Sequence, residues 1–272
     1  MPTIKLRGID LYYETHGAGQ PLVLIQGLGL DSGAWSAQIT SLSRRHRIIC
    51  FDNRGIGRTV APEQLHSTSE MADDLIALLD ALQIQRADIL GFSLGGCIAQ
   101  SLALRYPDRV NRLILVSTAA KFPALTLQVI QTWSSMLQEV RDGRMNPKLY
   151  IKAQLPWIFT DTFFQDHQQI ETLIGDALAY PYQPTVTGFA NQVAACVAHD
   201  SLKQLHQIQT PTLILVGEAD LLTPVALAQT LSAKLPNAEL KVIAGAGHNF
   251  FWEVSAAFNQ AVLDFTSSEA SD

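Results

Sequence analysis

The chain has 272 residues, 47% of them apolar and 16% charged, with 19 Lys+Arg against 25 Asp+Glu and a formal net charge of −6. Such a length and apolar content bury a large core and exclude disorder, coiled coil and collagen. The acidic balance offers no field for a phosphate backbone, so no nucleic-acid partner is expected.

No segment approaches the roughly 18 apolar residues that span a bilayer, and the start MPTIKLRGIDLYY lacks a charged region followed by a long apolar one. A soluble, cytoplasmic protein with no membrane partner is expected. Cys50, Cys97 and Cys196 are widely spaced without a CxxC pair, which reads as three buried small groups rather than a disulfide or thiolate metal site. The basic run Arg44, Arg45, His46, Arg47 reads as a solvated helix end.

In chain order, TIKLRG and IDLYYETHG around 3–16 suggest an antiparallel pair. Short, mainly apolar, β-rich runs follow at 21–25, 47–51, 87–92 and 112–116, then at 212–216 and 239–244. Runs of this kind suit strands covered on both faces of a parallel sheet. Helical patterns at 34–43, 69–83, 94–106, 224–235 and 251–266 alternate with them, which predicts a mostly parallel, doubly wound α/β sheet. The alternation breaks between about 119 and 205, where Trp133, Trp157, Phe159, Phe163, Tyr180 and Phe189 sit in helical periodicity interrupted by Pro123, Pro147, Pro156, Pro181 and Pro184. Several short helices are expected there, forming a cap over a core built from 1–118 and 206–272 and closing a substrate pocket.

The most specific chemical signal is Gly91-Phe92-Ser93-Leu94-Gly95-Gly96, between the run ADIL and the helix former CIAQSLALRY. Strand, glycine-flanked serine and helix make a nucleophile elbow. The chain must reverse sharply there, so Gly91 and Gly95 let strand and helix approach while Ser93 projects its hydroxyl. A hydroxyl is a weak nucleophile and needs a base and an orienting carboxylate. Asp220 lies beyond the strand TLILVG, at the edge where ligands meet a parallel sheet, and Glu218 is the lesser candidate. His248 follows the last strand in the loop Gly245-Ala246-Gly247 and completes the order Ser, Asp, His.

Oxyanion donors are expected from the Leu94 N–H at the helix start and from the Leu28 N–H in Gln26-Gly27-Leu28-Gly29. The glycine-rich Asp52-Asn53-Arg54-Gly55-Ile56-Gly57-Arg58-Thr59 lacks dinucleotide and P-loop spacing and reads as a structural turn near the site. No HExxH or comparable spacing appears, so neither metal nor cofactor is expected.

The segments GFSLGG, FDNRGIGRT, PTLILVGEADLLTP and GAGHNFFWE resemble the α/β-hydrolase superfamily, in its esterase, enol-lactonase and cofactor-free haloperoxidase branch. The resemblance implies an α/β-hydrolase fold with a helical cap insert, a Ser93–His248–Asp220 triad, and an oxyanion hole at Leu28 and Leu94. A serine esterase acting on a small-molecule ester with a largely apolar acyl group is the expectation. Enol-lactonase, C–C bond hydrolase, perhydrolase, carrier-bound pimeloyl methyl esterase and hydrolase-fold receptor remain open. Many relatives have His-Gly before the oxyanion residue; Gln26 here is expected to alter hydrogen bonding at the pocket entrance.

Overall fold

The computed structural model describes residues 2–267. Among them β1 (Thr3–Leu6), β2 (Ile9–His16), β3 (Gln20–Ile25), β4 (His46–Phe51), β5 (Ala87–Phe92), β6 (Val110–Val116), β7 (Thr212–Gly217) and β8 (Ala238–Ile243) form one sheet. Its order is β1-β2-β4-β3-β5-β6-β7-β8. β2 runs antiparallel to both neighbours, and the remaining pairs are parallel.

The unbroken apolar runs have a direct cause, because helices cover both faces. Val23, Ile25, Ile49, Ile89, Leu113 and Leu115 pack beneath α2 (Thr68–Ala81), α3 (Leu94–Arg105) and α9 (Val225–Lys234). Leu22, Leu24, Ile48, Leu90, Ile114 and Leu215 face α1 (Ser36–Leu42), α10 (Phe250–Glu253) and α11 (Ser255–Ser267). Successive residues thus serve opposite cores, as the pleat requires.

Three local expectations are corrected. β8 is an edge strand, with Glu239, Lys241 and Val242 exposed and Leu240 and Ile243 only half-buried, so its ELKVI is not buried throughout. The helix expected over 251–266 breaks at Val254 into α10 and α11. Phe250 then meets Phe258 with ring centroids 5.5 Å apart, while Phe251 packs on Phe92 at 4.7 Å. His46 is not solvated: it opens β4, buried, with Nε2 3.0 Å from Thr266 Oγ1 of α11.

Between β6 and β7 lie α4 (Ala124–Arg141), α5 (Pro147–Ile158), α6 (Asp161–Phe164), α7 (His167–Ala179) and α8 (Val186–Ala198). Their starts follow the prolines and short polar residues: Asn146 caps α5 with Pro147 in its first turn, and Thr160, Asp166 and Thr185 cap α6, α7 and α8. α4 and α8 contribute Ile130, Trp133, Phe189 and Val193 to the main core. α5, α6 and α7 share a separate cluster of Leu155, Phe159, Phe163, Ile170 and Ile174.

Two glycines fix how the central layers meet. A Cβ at Gly91 would run into the Gly95 carbonyl, and one at Gly95 would run into the Ile25 carbonyl. Backbone cannot yield as a flexible side chain does, so Gly95→Ala is expected to cost about 2–3 kcal/mol or more. Chemical denaturation checks this, and an unchanged unfolding midpoint would contradict the packing argument.

His199, just past α8, places Nδ1 3.1 Å from Thr68 Oγ1, and burial pushes its pKa down to about 4. The unfolded chain therefore binds the extra proton first, and the stability contributed by neutral His199 is complete above about pH 6.5 and drains away toward pH 4. Relative to His199→Gln, the wild-type protein should lose about 2–3 kcal/mol across that interval. Parallel pH profiles of unfolding free energy for the two proteins would refute the assignment.

Candidate active site

The strand order reverses around β3, whose neighbours are β4 and β5. Ligands meet doubly wound sheets at such a switch point, beyond the carboxyl ends of the strands. Register pairs Ile25 with Gly91, so the loop after β3 and the turn after β5 emerge side by side. In that turn Ser93 has φ 52° and ψ −116°, a conformation that L-residues adopt only when their surroundings impose it. The imposition is visible: Ser93 N–H donates to Val116 O at 2.9 Å, and Thr118 Oγ1 donates to Ser93 O at 2.7 Å.

The β3 loop lies against this serine. A Cβ on Gly27 would sit 3.1 Å from Ser93 Cβ and 2.9 Å from the Phe92 ring. Leu28 follows, and Leu94 opens α3. Among the described residues no protein acceptor takes the N–H of Leu28 or of Leu94, and the α3 dipole adds positive potential at Leu94. Gln26 does not reach the pocket entrance as expected. It is fully buried and donates Nε2 to the Phe51 carbonyl, because the β3 terminus turns that side chain toward β4.

Asp220 stands three residues past β7, 3% exposed, where Oδ1 accepts from the N–H groups of Leu222 and Thr223 at 3.0 and 2.7 Å. Thr223 Oγ1 donates to Oδ2 at 2.7 Å. His248 Nδ1 is 2.9 Å from Oδ2 and 3.1 Å from Oδ1. An acceptor-only carboxylate there makes Nδ1 the donor, leaving Nε2 with a free lone pair. Glu218, the alternative acid, instead takes the Gly245 N–H at the surface.

The histidine loop is held by Ser117 Oγ, which donates to His248 O at 3.1 Å, and by Gly217, whose missing Cβ leaves room for the carbonyls of Ala246 and Gly247. The imidazole packs on Phe92, centroids 4.9 Å apart. Ser93 and His248 line one cavity of about 80 Å³, walled mainly by Leu28, Leu30, Ile130, Trp133, Ile158 and Leu222. Among the described residues no hydrogen bond joins Ser93 Oγ to His248; such bonds are often long without substrate. Leu28, Leu30, Gln154 and Ile158 also border a neighbouring chamber of about 1050 Å³.

The glycine-rich segment after β4 behaves as a turn. Asp52 accepts from Ser32 N–H and Arg58 N–H, each at 2.8 Å, and so braces the β3 loop. The described residues hold one grouping of three metal-donor side chains, Glu14, His16 and Cys50. Glu14 is already engaged by Tyr12, His16 and Arg58, and burial pushes the Cys50 thiol up to about 12. None of the three lines the cavity at Ser93. Among the described residues no helix is long and apolar enough to cross a membrane.

Residues 20–254 match the family described as the alpha/beta hydrolase fold. The chain belongs to that family. It is 33% identical to 3-oxoadipate enol-lactonase 2 of Acinetobacter baylyi over 262 residues, covering 96% of this chain and 94% of that one. It is 29% identical to a protein of Azorhizobium caulinodans provisionally named a carbamate hydrolase, covering 97% and 98%. Among solved structures it resembles MGS-M2, an alpha/beta hydrolase enzyme from a Medee basin deep-sea metagenome library, with TM-score 0.90, 26% identity and coverage of 100% and 99%.

Thr223, inside the segment PTLILVGEADLLTP and not singled out in sequence, joins the Asp220–His248 pair. No local signal marked it, because the Asx turn at Asp220 is closed by the Leu222 N–H two residues on, whatever side chain follows. Thr223 binds one carboxylate oxygen of Asp220 and lies 3.1 Å from His248 Nδ1. A hydrogen bond to a charged group contributes about 1.5 kcal/mol, so Thr223→Val should lower kcat about tenfold in a folded protein. An unchanged kcat in steady-state assays would show that the hydroxyl plays no part in orienting the pair.

Proposed function

We propose that this chain is a serine hydrolase that cleaves neutral carboxylic esters, with Ser93 as nucleophile, His248 as base and Asp220 as orienting acid. The observation that carries the reading is the Asp220–His248 contact, buried at the strand edge, with its imidazole and the strained Ser93 in one cavity. His248 Nε2 takes the Ser93 proton as Oγ attacks the ester carbonyl, and the N–H groups of Leu28 and Leu94 receive the oxyanion. His248 then protonates the departing alcohol, and water, activated the same way, releases the acid. In this reading the helices between β6 and β7 act as a cap that excludes solvent.

The lining favours uncharged substrates. Among the described residues no Lys or Arg lines the cavity at Ser93, Arg141 bordering only the neighbouring chamber, and a free carboxylate beside Ser93 would be desolvated without a counter-ion. An oxoadipate enol-lactone carries such a carboxylate, so similarity to that lactonase supports ring-ester chemistry more than the same substrate.

With p-nitrophenyl esters, Asp220→Asn should reduce kcat by on the order of 10⁴-fold and Ser93→Ala by at least as much. A neutral butyrate ester should exceed a dicarboxylate monoester in kcat/KM by about tenfold or more, the cost of an unpaired buried charge. Near-wild-type turnover in Ser93→Ala would overturn the nucleophile assignment, and equal rates on the two esters would overturn the substrate class.

A further inference from the structure

We infer that Gln192, on α8 and distant in sequence from every element of the proposed machinery, is a positioning residue for the oxyanion loop. The inference rests on the hydrolase reading above and assigns a role to a side chain that neither lines the cavity nor contacts Ser93. Gln192 is fully buried, and its Oε1 accepts the Gly29 N–H at 2.8 Å. Gly29 directly follows Leu28, so this bond fixes the orientation of the Leu28–Gly29 peptide and, with it, the path of the loop that carries the Leu28 N–H.

A second contact from the same helix bears on the same residue. Gly29 has φ +72°, and the space where its Cβ would lie is filled by the Phe189 ring, 2.7 Å from that position. Phe189 and Gln192 are three residues apart, one helical turn, so they present neighbouring side chains to one loop. α8 therefore touches Gly29 at both its N–H and its Cα. Among the described residues the turn itself is closed by one long hydrogen bond, Leu30 N–H to Gly27 O at 3.3 Å, which leaves the 2.8 Å bond to Gln192 as the shorter restraint.

The other end of the amide separates positioning from mere packing. Gln192 Nε2 is buried with no protein acceptor. An amide with one end unsatisfied is a poor filler for an apolar helix face compared with Met or Leu. What the amide supplies that those residues cannot is an acceptor aimed at Gly29. Donor placement matters in such a site because an oxyanion donor that is removed or misdirected costs far more in the transition state than in the ground state.

The test compares wild type with Gln192→Met, which keeps the volume and deletes the acceptor, and with Gln192→Asn, which keeps the amide but falls a methylene short. Each is assayed for kcat and KM on p-nitrophenyl butyrate. Each is also titrated with a phenylboronic acid, whose serine adduct imitates the tetrahedral oxyanion, and with p-nitrophenyl butyl ether, a neutral ground-state ligand without a carbonyl. The expected result is a kcat loss of about tenfold or more with KM within about twofold. Boronate affinity should fall in the same proportion while the ether's affinity stays put. If the Met variant does not fold, the Asn variant alone decides on the same readouts.

Three outcomes overturn the inference. One is a folded variant that keeps kcat and boronate affinity within about twofold of wild type. Another is a variant whose boronate and ether affinities fall together with its melting temperature, which marks a structural role only. The third is a wild-type protein with no Ser93-dependent turnover and no boronate binding, in which case the hydrolase reading fails as well and the two failures are told apart by the wild type alone.

Discussion

The site depends on how closely β5, α3 and β3 approach one another. Gly91 and Gly95 have no Cβ because carbonyl groups of the neighbouring layers occupy that space. With both layers so close, the connecting residue has no relaxed conformation available, and Ser93 is held at φ 52°. The strain does chemical work in the proposed mechanism: it lifts the hydroxyl clear of the sheet and aims the first turn of α3 at the same point. The backbone hydrogen bond to Val116 and the Thr118 hydroxyl keep the residue there without help from a ligand.

Around that fixed point, each loop of the proposed machinery is tied to the helices between β6 and β7. Thr126 Oγ1 of α4 donates to Leu222 O at 2.7 Å in the acid loop. The Ile158 carbonyl of α5 accepts from Asn249 N–H at 2.9 Å beside His248, and Thr160 binds Glu253 through both its N–H and its hydroxyl. Gln192 of α8 and Tyr180 hold the β3 loop, the latter by donating to Asp31 at 2.6 Å. A mobile lid would sit loosely on these loops. Here the insertion shares its hydrogen bonds with them, so its sequence shapes the pocket and also sets where the reacting groups stand.

Much of this was legible in the chain, and the pattern of what was not is physical. The sheet could be read because strands buried on both faces show as unbroken apolar runs. Ser93, Asp220 and His248 could be nominated because glycines, strand ends and loop positions are local signals, and the structure brings Asp220 and His248 into contact. The edge position of β8 showed only in Glu239 and Lys241, charges that the inner run TLILV lacks, and the exposure of Val242 is decided by neighbours. Gln192 gave no signal at all: its partner lies 163 residues away, and in sequence it is one amide in a helical stretch. Gln26 misled for the related reason that its direction is set by the Phe51 carbonyl on β4.

In the proposed mechanism Ser93 becomes covalently acylated. The most direct measurement is an acid quench of the protein in the first turnover with a p-nitrophenyl ester, followed by digestion and peptide mass analysis. One acyl group is expected on the peptide containing Ser93, absent from Ser93→Ala and from unreacted protein. An acyl group on another residue, or complete turnover with no adduct at any time after mixing while a fluorophosphonate also fails to label Ser93, would contradict the mechanism.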